Sequence, residues 1–313
     1  MTTIGELGED ALLALFTPRL PESDVTLLGP GDDAAVLSID GDLVVSSDVL
    51  IEGRHFRTDW STAADVGWRA AMQNLVDIDA MGAVPTALQI TLAAPASLDV
   101  DWVLGFADGL REACDPHGVG VVGGDLSGAS EIAISVTVLG ETHGLDVVTR
   151  GGAEPGDVVA VSGPLGAAAA GLALLTAGVG LELDAVDAFR RPRPVIGAGL
   201  EAALRGATAM MDVSDGLLRD ASRIARASDV GIEIASTAVP VHPAAQVAAE
   251  VLGEDPQQWA LTGGEDHRLL ATFPSGTLLP DGWTVVGDVV DEYQGIRVDG
   301  AVPEALGWDH FGA

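Results

Sequence analysis

Six short segments of the chain place carboxylates beside Gly, Ser or Asn: Gly29-Pro30-Gly31-Asp32-Asp33, Ser46-Ser47-Asp48, Asn74-Leu75-Val76-Asp77, Gly123-Gly124-Asp125, Asp212-Val213-Ser214-Asp215-Gly216 and Gly263-Gly264-Glu265-Asp266. Acids and hydroxyls carried on turns suit hard cations, because loops can converge several oxygens on one ion. All 15 cationic side chains are Arg, with no Lys anywhere. A phosphate-handling site in such a chain cannot use a P-loop ammonium, and draws instead on Mg²⁺, Arg and backbone N–H groups. The residue types therefore point to metal-loaded phosphate chemistry.

The elements that must position these groups can be read from periodicity and turn signals. A helix is expected over 6–16, and strands over 34–39 and 43–47 joined as a hairpin at Asp40-Gly41. Thr62-Ala63-Ala64-Asp65 reads as a capping box opening a helix that ends at Gly82. A strand over 86–92, a helix over 101–113, and strands over 119–122 and 132–139 complete a β-β-α-β-α-β-β half, an α+β arrangement. Gly and Pro cluster over 149–157, dividing the chain into domains 1–148 and 149–313. The second, α/β half reads as strand 158–161, helix 165–177, helices near 184–190 and 195–205, strand 209–213, helix 217–227, and strands 231–234, 268–273 and 283–290. On this reading Asp125 and Asp212 stand where strands run into loops, and Asp77 lies inside a helix as a half-buried acid. Ser214 and Asp215 suit an N-cap, and the helix they open also suits a phosphate.

Several function classes are excluded. A formal charge of −32 and a pI near 4.1 argue against nucleic acid and anionic membrane as partners. The 24 uncharged residues from Val158 to Leu181 could suggest a membrane span. Ser162-Gly163-Pro164 divides them into a buried strand and an Ala-rich helix, which favours a soluble protein. The single Cys114 and the absence of a signal-like N-terminus point to the cytoplasm. Gly118-Val119-Gly120-Val121-Val122-Gly123 matches a dinucleotide-binding pattern, but a helix precedes it and a strand follows, the reverse of what that turn requires. No His/Cys grouping suggests zinc, and there is no serine nucleophile elbow. His55 alone reads as structural.

Taken in order, the six segments, with Gly53-Arg54-His55-Phe56, Arg150-Gly151-Gly152-Ala153 and the terminal Gly307-Trp308-Asp309-His310-Phe311, resemble the thiamine-monophosphate kinase family of the aminoimidazole-ribonucleotide-synthetase-like superfamily. The resemblance spans nearly the whole chain. It implies a two-domain synthetase-like fold, with N-terminal sheets pairing into a dimeric β-barrel and ATP bound near that interface. It implies transfer of the ATP γ-phosphoryl group to thiamine monophosphate. Position by position, it implies a Mg²⁺ set of Asp33, Ser46, Ser47, Asp48, Asp77, Asp125 and Asp212, with Asp215 holding a further ion. Asp48, Asp125 and Asp212 would be the most essential. Gly124, Asp125, Arg150 and Ser214 match nucleotide contacts, and His55, Glu265 and Trp308 match the thiamine-phosphate side. Ser47 replaces a common Thr and keeps its hydroxyl, whereas Trp308 replaces a common Tyr and keeps only the aromatic face.

The implied chemistry agrees with the residues. The acceptor is a phosphate monoester with a second pKa of about 6, so its attacking oxygen is already anionic at neutral pH and needs no general base. What it needs is screening of two polyanions held in line. The alternatives are another ATP-dependent enzyme of the superfamily, or a Mg–nucleotide binding protein without catalysis.

Overall fold

The computed structural model describes residues 2–31 and 33–309. Asp32 of the first acidic segment and His310-Phe311 of the terminal one lie outside the described residues. The chain divides into two compact units, one running to Ile78 and including Ala83–Leu145, the other comprising Asp79–Gly82 and the chain from Asp146 onward. The first unit opens with α1 (Ile4–Leu7) and α2 (Glu9–Phe16), two helices where one was expected, because Gly8 takes φ +82° between them. β1 (Thr26–Leu28) and β2 (Val36–Leu37) form a small antiparallel sheet. The expected hairpin across Asp40-Gly41 does not form. Gly41 does turn, at φ +84°, but a Cβ there would lie 2.5 Å from the Gly144 nitrogen. The turn is thus pressed against the segment after β6 (Ala133–Glu141), to which β3 (Leu43–Ile51) pairs along all nine residues.

Between β3 and β6 come α3 (Ala63–Asp79), β4 (Val84–Ala94), α4 (Val100–Cys114) and β5 (Gly120–Gly128). The capping box opens α3 as expected: the Thr62 N–H donates to Asp65 Oδ2 at 2.9 Å and the Asp65 N–H to Thr62 Oγ1 at 3.2 Å. The sheet order is β3-β6-β4-β5, with only β4 and β5 parallel. Gly123, Gly124 and Asp125 lie within β5 rather than in a loop, since the strand continues to Gly128. Ile134, Val136 and Val138 of β6 are buried while Ala133, Ser135 and Thr137 between them are half-exposed, so one face is covered and the other open. The covering helices approach closely through glycines. A Cβ on Gly67 of α3 would meet the Phe106 carbonyl at 2.2 Å, and one on Gly109 of α4 the Ala64 carbonyl at 2.0 Å. Cys114 is fully buried at the end of α4, and burial pushes its thiol up.

The second unit runs β7 (Val158–Val161), α5 (Ala167–Ala177), α6 (Asp184–Arg190), α7 (Ala198–Leu204), β8 (Ala209–Val213), α8 (Leu217–Ser228), β9 (Gly231–Ile234), α9 (Pro243–Leu252), α10 (Pro256–Thr262), β10 (Arg268–Phe273), β11 (Thr284–Val290) and β12 (Gly295–Val298). α9, α10 and β12 were not foreseen. The two helices announce themselves by His242-Pro243 and Asp255-Pro256, a capping side chain followed by Pro at the first helical position. The sheet order is β12-β9-β11-β7-β10-β8, antiparallel except for β12 against β9. Leu217, Leu218, Ala221 and Ile224 of α8 bury against Val213, Ile232, Leu270 and Val286 in one core. Among the described residues no helix is long and apolar enough to cross a membrane.

Asp79–Gly82 belongs to the second unit because Asp79 caps α7: its carboxylate accepts from the N–H groups of Gly199 at 3.1 Å and Leu200 at 3.3 Å. Burial pushes this carboxyl up to about 6, against the backbone N–H groups that favour the anion. A carboxyl whose folded pKa lies above its unfolded one holds its proton longer in the folded state, so its contribution to stability falls as pH rises from about 4 through about 6. Asp79→Asn should therefore gain stability relative to the parent across that window, by on the order of 3 kcal/mol at most. Urea unfolding at pH 4.5 and 7.5 checks this, and parallel behaviour of the two proteins would refute the buried-acid assignment.

Candidate active site

In the first unit the expected ligands divide between the two edges of one sheet. Ser46 and Asp48 on edge strand β3 reach toward α3: Ser46 Oγ donates to Asp77 Oδ2 at 2.8 Å, and Gln73 Nε2 to Asp48 Oδ2 at 3.2 Å. Asp77 is half-buried, as read from the helix pattern. Ser47 points the other way and donates to the Val136 carbonyl at 3.0 Å. Asp33 lies on the exposed segment before β2. Asn74 is fully buried; its Nδ2 donates to the Ala70 carbonyl at 2.8 Å, while among the described residues its Oδ1 accepts no hydrogen bond. His55 is fixed by accepting the Ile51 N–H on Nδ1 at 3.0 Å, which leaves Nε2 as the proton-bearing nitrogen of the neutral ring.

Asp125 is on the opposite edge strand, β5. In the ladder Asp48 aligns with Val136, Ile90 and Gly124, whereas Asp125 aligns with Thr91, Ser135 and Val49. Adjacent rows face opposite sides of a sheet, so Asp125 projects from the open face and Asp48 from the helix-covered one. Three strand spacings separate them, about 14 Å. A single sheet does not bring these two acids to one ion. Gly124 allows the strands to close at this point, because a Cβ there would overlap the Ile90 carbonyl at 1.8 Å.

In the second unit two loops are clasped together. The Glu265 N–H donates to the Ser214 carbonyl at 2.8 Å and the His267 N–H to the Val213 carbonyl at 2.9 Å. Glu265 and His267 adopt φ +71° and +50°, a left-handed conformation that costs non-glycine residues free energy and is held here by the surrounding bonds. His267 is buried; its Nδ1 lies 3.1 Å from Asp212 Oδ2 and its Nε2 3.8 Å from Glu265 Oε2. Burial opposes charge on this ring, but the two carboxylates win and hold it protonated, with its pKa pushed up to about 10. Sequence reasoning missed His267; its signal was its place directly after the Gly-Gly-Glu-Asp run.

The loop 212–216 does not cap α8 with Ser214 or Asp215. Gly216 stands at that position without a side-chain bond. Asp220 folds back instead and accepts the N–H groups of Ser214 and Asp215, each at 3.0 Å. Burial, with Asp212 nearby, pushes the Asp220 carboxyl up to about 7. Arg223 bridges Asp220 and Asp215. The Trp308 N–H donates to the Asp215 carbonyl at 2.9 Å, and Gly307, at φ +147°, is required there because a Cβ would lie 2.1 Å from that oxygen. Trp308 is 61% exposed and shares an apolar cleft of about 650 Å³ with Trp259, Leu172, Leu252, Gly263 and Gly264. Arg150 is exposed on a turn whose carbonyl accepts from Ser228 Oγ at 2.9 Å. Gly152 is needed beside it, since a Cβ would lie 1.9 Å from the Thr208 carbonyl.

Carboxylates with serine hydroxyls make a hard oxygen donor set that fits Mg²⁺. Among the described residues no three acids, histidines or cysteines already stand grouped to hold an ion.

Residues 31–142 match the family model for the N-terminal domain of AIR synthase related proteins, and residues 154–297 match that for the C-terminal domain. The chain is 43% identical to thiamine-monophosphate kinase of Mycobacterium tuberculosis over 99% of its own length and 93% of that protein's. It is 38% identical to the thiamine-monophosphate kinase of Corynebacterium glutamicum, over 99% and 95%. The chain belongs to the thiamine-monophosphate kinase family. A solved structure of AaThiL complexed with AMPPCP and TMP superimposes with a TM-score of 0.82 at 37% identity, covering 99% of both chains. The family's mixed α/β two-domain fold is therefore the fold of this chain.

Replacing His267 by Phe would leave Asp212 and Glu265 facing each other without a cation. A group with a raised folded pKa lends stability that is complete below its unfolded value and lost as pH rises through the folded one. His267→Phe should cost roughly 3 kcal/mol at pH 7.5, a deficit that shrinks as pH passes through about 10. Chemical denaturation at both pH values checks this, and a deficit that does not change with pH would contradict the charged-ring assignment.

Proposed function

We propose that this chain transfers the γ-phosphoryl group of ATP to the phosphate of thiamine monophosphate, giving thiamine diphosphate and ADP in a direct step. The observation that carries the reading is the full-length likeness to AaThiL complexed with the ATP analogue AMPPCP and TMP. Asp33, Ser46, Ser47, Asp48, Asp77 and Asp125 of the first unit, with Asp212 and Asp215 of the second, would hold several Mg²⁺ ions, which supply charge neutralisation on the transferring phosphoryl group. At Asp215 a metal would compete with Arg223, which already pairs with that carboxylate.

Gly124, Asp125, Arg150 and Ser214 are the proposed nucleotide contacts. Arg150 adds a fixed cation, and Gly124 keeps the backbone clear of side-chain bulk. The acceptor's two flat rings, of which the thiazolium is cationic, suit the apolar cleft beside Trp308, where an indole face attracts a cation. Glu265 carries negative charge toward the same ligand, and His55, with its Nε2–H, is a donor on the acceptor side. The acceptor oxygen is anionic without a base, so these residues need only orient it.

A homodimer formed by pairing of the open sheet faces is part of this reading. Val45 and Val49 stand 55% and 46% exposed on that face, and Asp125 projects from it. A second copy would bring a β3 edge toward the β5 edge that one sheet holds about 14 Å from its own. The lone buried thiol accords with a cytoplasmic setting.

ADP release should require ATP, Mg²⁺ and thiamine monophosphate together, with thiamine diphosphate as the product; ATP turnover without it would place the chain with relatives that use another acceptor. Asp48→Asn and Asp125→Asn should each lower turnover roughly 100-fold or more with the fold intact by circular dichroism, and near-normal rates in both would remove them from the metal set. Val49→Glu should yield a monomer by light scattering and lose activity with it.

A further inference from the structure

A second cavity of the second unit, about 260 Å³, opens between α5, α6 and the start of β10, and its wall carries Arg191, Arg193, Arg268 and His242. In a chain with a formal charge of −32, three of the 15 Arg line this one small cavity, beside Asp184, Asp187, Glu265 and Asp266. Arg268 is only partly exposed, with its side chain lying 3.4 Å from where a Gly163 Cβ would stand. Among the described residues its guanidinium makes no hydrogen bond and no ion pair. A cation drawn this far out of water calls for a charged partner, and among the described residues the acid whose charge acts on it, Asp266, makes no ion pair with it.

The tautomer of His242 adds to this. Its Nδ1 accepts the Ala244 N–H at 3.1 Å as the cap of α9, so the neutral ring carries its proton on Nε2. The cavity thus presents donors. Three acids in the same wall have contacts of their own. Both Asp266 oxygens accept α5 backbone N–H groups, from Gly166 at 2.5 Å and Ala168 at 3.1 Å, while Asp187 faces Arg190 at 3.8 Å and Glu265 faces His267 at 3.8 Å. Asp184, on the α6 side, is the remaining acid of the wall, and its charge acts on His242.

We propose that this cavity is an oxyanion site that takes a phosphate group on Arg268, Arg193 and the Nε2–H of His242. The fork of a guanidinium matches phosphate oxygens in pairs, and nothing in this site requires a metal. The ligand is a small phosphate-bearing anion, either free phosphate or pyrophosphate, or the phosphate of a substrate or product of the proposed reaction.

The test is thermal unfolding of the full chain without Mg²⁺ or nucleotide, titrated with pyrophosphate against NaCl of matched ionic strength. Pyrophosphate should raise the Tm saturably where NaCl does not, and Arg268→Gln and Arg193→Gln should each weaken the apparent affinity about tenfold or more. Arg193 is exposed, so its variant folds even where Arg268→Gln does not. An equal rise with NaCl, or a parental response in the Arg193 variant, would overturn the proposal. Thiamine monophosphate displacing pyrophosphate would identify the substrate's phosphate as the ligand; absence of displacement would leave the free anion, and either result keeps the site. Because no nucleotide is present, failure here leaves the kinase reading standing.

Discussion

Carboxylates held out of water are the constraint on which the second unit is organised. Asp79 and Asp220 are fully buried and Asp266 is half-buried, and each accepts backbone N–H groups of another segment. Burial raises the free energy of such an anion, and only several donors at bonding distance bring it down again. The requirement works in reverse as a positioning device. Asp220 fixes the amides of Ser214 and Asp215, and Asp266 fixes the start of α5 while its chain neighbours Glu265 and His267 turn toward Asp212. The loops that carry the proposed site residues are held by acids outside the proposed set.

A chain without lysine must balance those acids with shorter or flatter cations. His267 is compact enough to sit fully enclosed between Asp212 and Glu265, where a flexible ammonium stem would need a longer channel. Arg223 uses two nitrogens of one planar fork, one on Asp215 and one on Asp220. Arg219 reaches Asp309 at 2.7 Å and ties the segment bearing Trp308 to α8. Each cation thereby joins two pieces of backbone, so charge balance and loop placement are the same set of contacts.

The strands and helices of the second unit were legible because their signals are local: β7, β8, β9 and β10 have the limits that apolar runs bounded by Gly and polar residues suggest. The hairpin at Asp40-Gly41 misled because a turn signal reports the bend and not the partner. The partner of β3 is nearly a hundred residues away, chosen by the length and pattern of β6. Gly123-Gly124 looked like the end of a strand because glycine usually interrupts one, yet here it lets β5 close against the Ile90 carbonyl and continue. The proposed ligand acids suggest themselves by their types and neighbours. His267, Arg223 and Asp220 do not, because their roles come from contacts between separate loops.

The sheet of the first unit gives a reason for the proposed assembly that is independent of resemblance. Two of the proposed ligand acids, Asp48 and Asp125, occupy opposite edges and opposite faces, so no side-chain rotation within one sheet can unite them. The face from which Asp125 projects is also the face that no helix covers, and it carries Val45 and Val49 in the open. An apolar face and a carboxylate without a nearby ligand partner make the same demand, a second surface of complementary pattern. A two-fold contact satisfies it with no additional sequence, since the surface that needs β3 presents β3 to its partner. Under the proposed function, metal binding and subunit pairing are then linked, because whatever separates the sheets also separates the acids. Mg²⁺ should strengthen the dimer by the same free energy with which the dimer strengthens Mg²⁺ binding.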